Sequence, residues 1–182
     1  VLFVSPRSPL FDDEEITSAE IRDVLNRNRL AVVSTQSIAG FQAPLLRLAV
    51  DYDIAGAPAG YLWFENSEEV VKAVLSGLAD VGACEEPALD RVLERTGLLD
   101  QKDNLVRVVL RTDRITTDPV VIRPVLSPRN STLGRLLRQS IRDLSLEGVT
   151  GDLQYTPATD EEYRSLIELQ DEFSERVGEV QR

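Results

Sequence analysis

Hydroxyl-bearing side chains cluster where a short apolar segment meets a predicted helix, in residues 30–44, LAVVSTQSIAGFQAP. A strand that ends where a helix begins leaves backbone N–H groups without internal partners, and the helix dipole adds partial positive charge. Ser34, Thr35 and Ser37 add hydroxyl donors, and Gly40 would let a ligand approach the backbone closely. The chemistry predicted for this segment is anion binding. The alternative is that the hydroxyls only cap the helix, which is their more common role.

Acidic side chains occupy two further candidate positions, and one of them, Glu85, is expected on the same edge of the sheet as Ser37. Residues 67–86, SEEVVKAVLSGLADVGACEE, read as an amphipathic helix followed by a buried strand at 79–83. Glu85 follows that strand directly, and strand ends of this kind face the ligand crevice in open α/β sheets. Glu68 lies in the first helical turn, where the dipole favours a carboxylate without any ligand. For Glu85 the alternative is a solvated side chain at the start of the next helix.

These segments together resemble a known family: the phosphate, phosphite and phosphonate-binding proteins of ABC transporters, with the related periplasmic input domains of sensor kinases. The family's helix start SxxGFQ is similar to residues 37–42, SIAGFQ, and its segment aVlsGxADvGA is similar to residues 73–83, AVLSGLADVGA. Residues 106–123 look like the family's return crossover with its DPvvvR segment, and residues 155–169 resemble its C-terminal helix. Residues 1–11, VLFVSPRSPLF, look like the first crossover strand between two lobes.

The fold class that this resemblance implies is α/β: a three-layer α/β/α lobe of a type II periplasmic binding protein, with a mixed, mostly parallel sheet. The expected division is a crossover segment with a short helix at 1–29, an α/β ligand-binding lobe at 30–112, and a return crossover with C-terminal helices at 113–182. The opening part of the other lobe is expected to be absent. The chain alone should therefore bind oxyanions no more tightly than about millimolar.

Alternating strand and helix periods independently indicate an α/β sheet with helices on both faces. Thr17 or Ser18 is expected to cap the first helix, with Glu20 or Asp23 nearby. Helices are predicted at 16–26, 41–52, 67–76, from Pro87 to a stop at Gly97, at 133–144 and at 160–177, and strands at 30–33, 61–64, 79–83 and 105–110.

The resemblance also assigns ligand-binding roles to individual residues. Ser37 matches the Ser that opens the family's anion-binding helix, Ser67 matches a second family Ser, and Glu85 matches an acid that can pair with a ligand amine. Ile38 and Ala39 stand where phosphonate binders typically carry further hydroxyls. We therefore expect phosphate and phosphonates to bind weakly, and a less hydroxyl-dependent ligand to be preferred. The complete predicted ligand-binding set is Ser34, Thr35, Gln36, Ser37, Gly40, Ser67, Glu68 and Glu85.

The function implied by the resemblance is that of an extracytoplasmic solute-binding domain that recognises a small anionic ligand, an oxyanion, by hinge closure. Its expected partner is an ABC permease or, in the sensor branch, a membrane-anchored kinase. The expected location is periplasmic or extracellular, with a membrane anchor in the sensor branch, and the expected state is a monomer. The alternative is a cytoplasmic effector-binding domain of a transcription regulator, which shares this type of lobe. A signal sequence or an upstream helix-turn-helix in the full gene would distinguish the two.

Composition argues against several other functions. The formal net charge of −11 opposes binding to nucleic acid phosphates or anionic membranes. The sequence has no His and a single Cys, so few ligands exist for zinc or haem, and neither a metal nor a cofactor is predicted. The same composition excludes Cys/His and Ser/His catalytic pairs, and no phosphate-binding glycine loop has the required spacing. A binding protein is therefore predicted rather than an enzyme.

Overall fold

Five short strands form one sheet in the computed structural model, which describes residues 1–13, 15–57, 59–115, 132–142 and 159–178. They are β1 (Leu2–Val4), β2 (Leu30–Val32), β3 (Tyr61–Trp63), β4 (Val81–Ala83) and β5 (Arg107–Leu110). Their spatial order is β3-β2-β4-β1-β5. β2 is parallel to β3 and β4, whereas β1 runs antiparallel to β4 and β5. This mixed, mostly parallel sheet confirms the predicted fold class.

Helices follow the strands in the described residues, and the local sequence explains where several of them begin and end. Thr17 caps the first helix as predicted: its hydroxyl accepts from the Glu20 N–H, and the Glu20 carboxylate accepts from the Thr17 N–H at 2.8 Å. Gly77 ends the third helix with a φ of 76°, a conformation that suits glycine. The helices are α1 (Ser18–Arg27), α2 (Ala43–Tyr52), α3 (Ser67–Ser76), α4 (Glu86–Arg95), α5 (Lys102–Leu105), α6 (Thr132–Arg142) and α7 (Arg164–Arg176).

Shorter helical turns complete the described backbone. A π-helical turn at Ile38–Gln42 leads into α2, so the predicted helix start near residue 41 is irregular. Three 3-10 turns lie at Pro9–Phe11, Leu99–Gln101 and Asp160–Tyr163, the last directly before α7. No helix in the described ranges combines the length and apolarity needed to cross a membrane.

Alternation along the strands builds a hydrophobic core on each face of the sheet. Leu30 and Val32 of β2 pack with residues of α1 and α2 and with Phe173 of α7. Ala31, between them, packs on the opposite face with residues of α3 and α4. Because successive strand side chains point to opposite faces, one short strand contributes to both cores. The result is the predicted three-layer α/β/α arrangement.

Contacts divide the chain into two units, residues 1–115 with 166–182, and residues 116–165. In the first unit, β1 and α1 join the same sheet and core as the elements between residues 30 and 110. The second unit contributes α6, where a helix was predicted at 133–144. The predicted boundaries at 29/30 and 112/113 remain predictions. The DPVVIR segment at 118–123, including Asp118, lies outside the described residues.

Candidate functional site

The carboxyl ends of β2, β3 and β4 lie at one edge of the sheet, because these strands are parallel. From β2 the chain passes through α2 to β3 on one side, and from β4 it passes through α4 to β5 on the other. α2 and α4 pack on opposite faces of the sheet. The two connections therefore diverge between β2 and β4 and define a topological switch point, where open α/β sheets bind ligands. Most of the predicted site lies in the segments that follow these two strands.

Ser37 caps the helical turn that follows β2. Its Oγ accepts a hydrogen bond from the Gly40 N–H at 3.1 Å, and its own N–H donates to the Ser34 carbonyl at 2.9 Å. The Gln42 N–H donates to the Ser37 carbonyl at 3.0 Å, which closes the π-helical turn. The capping role is therefore present. It uses a lone pair of the hydroxyl oxygen, so the hydroxyl hydrogen can still donate to an anion.

Two backbone amides at the start of this turn have no acceptor among the described residues. The N–H groups of Ile38 and Ala39 bond to nothing in the part of the chain that the structure describes. Such free donors are expected at the first residues of a helix. Both residues are half-buried, so these donors lie close to the surface. This edge therefore offers hydrogen-bond donors without any formal positive charge.

The residues between β2 and the cap are held by a side-chain amide. Gln42 Nε2 donates to the Thr35 carbonyl at 3.0 Å and fixes the path of the turn. Gln42 Oε1 is buried and has no donor among the described residues. Ser34 and Thr35 are half-buried, whereas Gln36 is exposed. The structure thus brings Ser34 to Ser37 together in one turn at the switch point, and their ligand contacts remain predictions.

Gly40 packs closely against the end of β2. The residue is buried, and a Cβ added to it would lie 2.8 Å from Val33 Cγ2 and 3.0 Å from Ser37 Oγ. Only glycine lets the helical turn lie this close to the end of β2. The ligand approach that the sequence suggested for Gly40 remains a prediction.

At the start of α3 the N-cap is Asn66, a residue that was not predicted from the sequence. Asn66 Oδ1 accepts from the Glu69 N–H at 3.0 Å, and Glu69 Oε2 accepts from the Glu65 N–H at 3.1 Å. An Asn three residues before a Glu is a recognisable start signal, so the sequence contained this information. Ser67 is the half-buried first residue of α3.

Glu68 and Glu85 are both bound by arginines of α4. Arg91 Nη2 lies 2.9 Å from Glu85 Oε1, and Arg91 Nε lies 3.9 Å from Glu68 Oε1. Arg95 Nη1 lies 2.9 Å from both carboxylate oxygens of Glu68. We call Glu68, Glu85, Arg91 and Arg95 the acid–arginine cluster. The sequence indicated the two acids but not the arginines, because no local spacing links α4 to the first turn of α3.

Cys84 lies between β4 and Glu85 and is fully buried. Burial raises the pKa of its thiol to about 12. A thiol with that pKa is protonated at neutral pH and is a poor nucleophile. Among the described residues, no group of three or more His, Cys, Asp or Glu side chains is arranged to hold a metal ion.

A cavity of about 220 Å³ lies beside β5, away from the turn after β2. Its cationic side chains already bond neighbouring acceptors: Lys102 to Asp90 at 2.6 Å, and Arg107 to the Phe11 carbonyl at 2.8 Å. A third cation, Arg111, bonds Glu86 at 3.0 Å. The cavity is lined by Phe11, Lys102, Asp103, Val106, Arg107, Val108 and Arg111.

Two solved structures share the fold of this chain. It is similar to a binding protein component of an ABC phosphonate transporter from Pseudomonas aeruginosa, with a TM-score of 0.65 and 18% identity, covering 93% of this chain and 55% of that one. It is also similar to a Xanthomonas citri protein bound to a chloride ion, with a TM-score of 0.54 and 19% identity, covering 96% of this chain and 64% of that one. The chain therefore spans 55% and 64% of these two structures.

The sequence identifies the family. The profile of the periplasmic substrate-binding proteins of phosphonate ABC transporters matches residues 1–163. The chain belongs to this family, and the predicted resemblance is confirmed. None of the curated protein sequences matches it.

Proposed function

We propose that this chain is the main part of one lobe of a periplasmic solute-binding protein that captures a small oxyanion for an ABC permease. The observation that carries the proposal is the donor-rich turn at the switch point, where Ser37 caps a helical start and the Ile38 and Ala39 amides have no acceptor in the described residues. Membership of the family supports the transport role. A second lobe that closes over the ligand is part of the proposal.

The chemistry at this turn suits an oxyanion held by neutral donors. Oxyanion oxygens accept hydrogen bonds from amides and hydroxyls, and the helix dipole favours negative charge at the same point. Each such bond to a charged oxygen contributes about 1.5–3 kcal/mol. A few donors from this lobe give weak binding, and contacts from a second lobe would exclude water and raise the affinity.

The test is a calorimetric titration of the full-length gene product with inorganic phosphate, phosphite, methylphosphonate and sulfate. At least one oxyanion is expected to bind, and Ser37→Asp should abolish the binding. Aspartate is as good an N-cap as serine, so this variant keeps the helix start while placing a carboxylate against the ligand. Asn66→Asp is the matched control, because it makes the same change of charge at the cap of α3. Binding of no oxyanion, or equal binding by Ser37→Asp, would contradict the proposal.

A further inference from the structure

Glu85 of the acid–arginine cluster directly follows β4, the strand that pairs with β2 at the switch point. Two carboxylates and two guanidinium groups cancel formally, in a chain whose net charge is −11. Glu69, close by, accepts a backbone N–H of Glu65. An anion that approaches the turn after β2 therefore meets acids that are largely neutralised by partners.

The two arginines of the cluster do not contribute equally. Arg91 is 23% exposed and reaches both carboxylates, whereas Arg95 is 62% exposed and contacts Glu68. In the part of the chain that the structure describes, Arg91 is the cationic partner of Glu85. Glu68 keeps Arg95 if Arg91 is lost, but Glu85 would have no partner. Arg91 is therefore the residue that decides whether Glu85 is free.

A free carboxylate at this position would change which ligands bind. It would repel an oxyanion and attract an ammonium group, so a zwitterionic ligand would gain what a simple anion loses. A carboxylate already bonded to a guanidinium at 2.9 Å offers little to an amine, which would have to displace that pair. The pairing observed here favours ligands without an ammonium group.

We infer that Arg91 is a positioning residue that sets the charge class of the ligand: by pairing with Glu85, it makes the site accept simple oxyanions and disfavour amine-bearing ones. The inference rests on the proposed function, since it concerns the same ligand. Arg91 need not touch the ligand, because its effect is exerted through Glu85.

The test compares methylphosphonate with aminomethylphosphonate, which differ by one amine, in NMR titrations of the full-length gene product. Wild type is expected to bind methylphosphonate the more tightly. Arg91→Gln should weaken methylphosphonate binding about fivefold and shift the ratio of the two dissociation constants about tenfold toward the amine. Arg95→Gln, the matched control, should shift the ratio less than twofold. Arg91→Lys keeps the charge and should retain the wild-type preference.

The double variant Arg91→Gln with Glu85→Gln separates electrostatics from folding. If Arg91 acts by neutralising Glu85, removing both charges restores the binding of methylphosphonate, which a purely structural role would not do. A ratio that Arg91→Gln leaves unchanged, or a double variant that is not restored, overturns the inference while the proposed function stands. A wild type that binds neither phosphonate nor any other oxyanion overturns both.

Discussion

The two strands at the switch point are followed by segments of opposite chemical character. After β2, residues 33–44 carry no charged side chain and present hydroxyls, together with amides that have no acceptor in the described part of the chain. After β4, the chain carries Glu85, Glu86, Arg91 and Arg95, and these charges are bound to one another or to neighbouring elements. One side of the crevice can bind an anion through neutral donors. An anion can bind there only if the acidic side chains on the other side are neutralised by cationic partners.

The largest expected effect on stability comes from disturbing the close packing of the uncharged side. Gly40→Ala places a Cβ 2.8 Å from Val33 Cγ2, so the free energy of unfolding should fall by about 1–3 kcal/mol. Urea denaturation measures this change. Adding Val33→Ala removes the opposing methyl group and should recover part of the loss. A neutral or stabilising Gly40→Ala would show that the turn can move away from β2. The uncharged side of the crevice would then not be rigid.

Restoring hydroxyls to the uncharged side should strengthen oxyanion binding. Ile38→Thr with Ala39→Ser adds two donors at the helix start, and we expect the phosphate affinity of the full-length gene product to rise about tenfold, or about 1.4 kcal/mol. Calorimetry with inorganic phosphate measures it, and Ile38→Val is the control with the shape of Thr but no hydroxyl. Micromolar phosphate binding by the wild type would mean that its backbone donors already suffice.

Loss of the cap on the uncharged side should have a moderate effect on stability. Ser37→Ala removes the acceptor of the Gly40 N–H, and we expect the free energy of unfolding to fall by about 1 kcal/mol. Thermal and urea denaturation are the measurements. Ser37→Asp retains an acceptor and should keep most of the stability. If both variants are equally destabilised, the serine contributes something other than the cap.

The smallest expected effect is on the charged side, where acid should remove the contribution of one ion pair to stability. The hydrogen bond from Arg111 holds the pKa of Glu86 below its ordinary value of 4.5. A lowered carboxyl pKa gives stability above the unfolded pKa, which is lost as the pH falls through the folded pKa. Glu86→Gln should therefore cost a few tenths of a kcal/mol at neutral pH, because the pair is exposed, and nothing in strong acid. Denaturation at several pH values tests this, and a cost that grows in acid would contradict it.

Local signals explain what the sequence could predict. The Thr17 and Glu20 capping box, the glycine end of α3 and the strand–turn–helix after β2 each depend on residues within a few positions of one another. The position of β1, antiparallel between β4 and β5, depends on contacts far apart in the chain. Only the family resemblance made a mixed sheet an expectation.

Non-local pairing explains what the sequence could not predict. Arg95 lies 27 positions from Glu68, and no periodicity within α4 indicates that the two meet. The close packing of Gly40 against Val33 could not be predicted from the sequence either, because the two residues approach each other only once the helical turn folds back on β2. The ligand-binding roles of Ser34 to Ser37, Gly40, Ser67, Glu68 and Glu85 remain predictions.

The most direct test of oxyanion binding at the switch point is to follow backbone amide NMR shifts of the 182-residue chain during a titration with inorganic phosphate. NMR detects binding even at millimolar dissociation constants, about −4 kcal/mol, as expected for one lobe. We predict that the Ile38 and Ala39 amides move most, with Ser37 close behind. If the largest shifts fall instead on Lys102 and Arg107, beside the cavity along β5, or if no amide near Ser37 moves, the switch point is not the anion site.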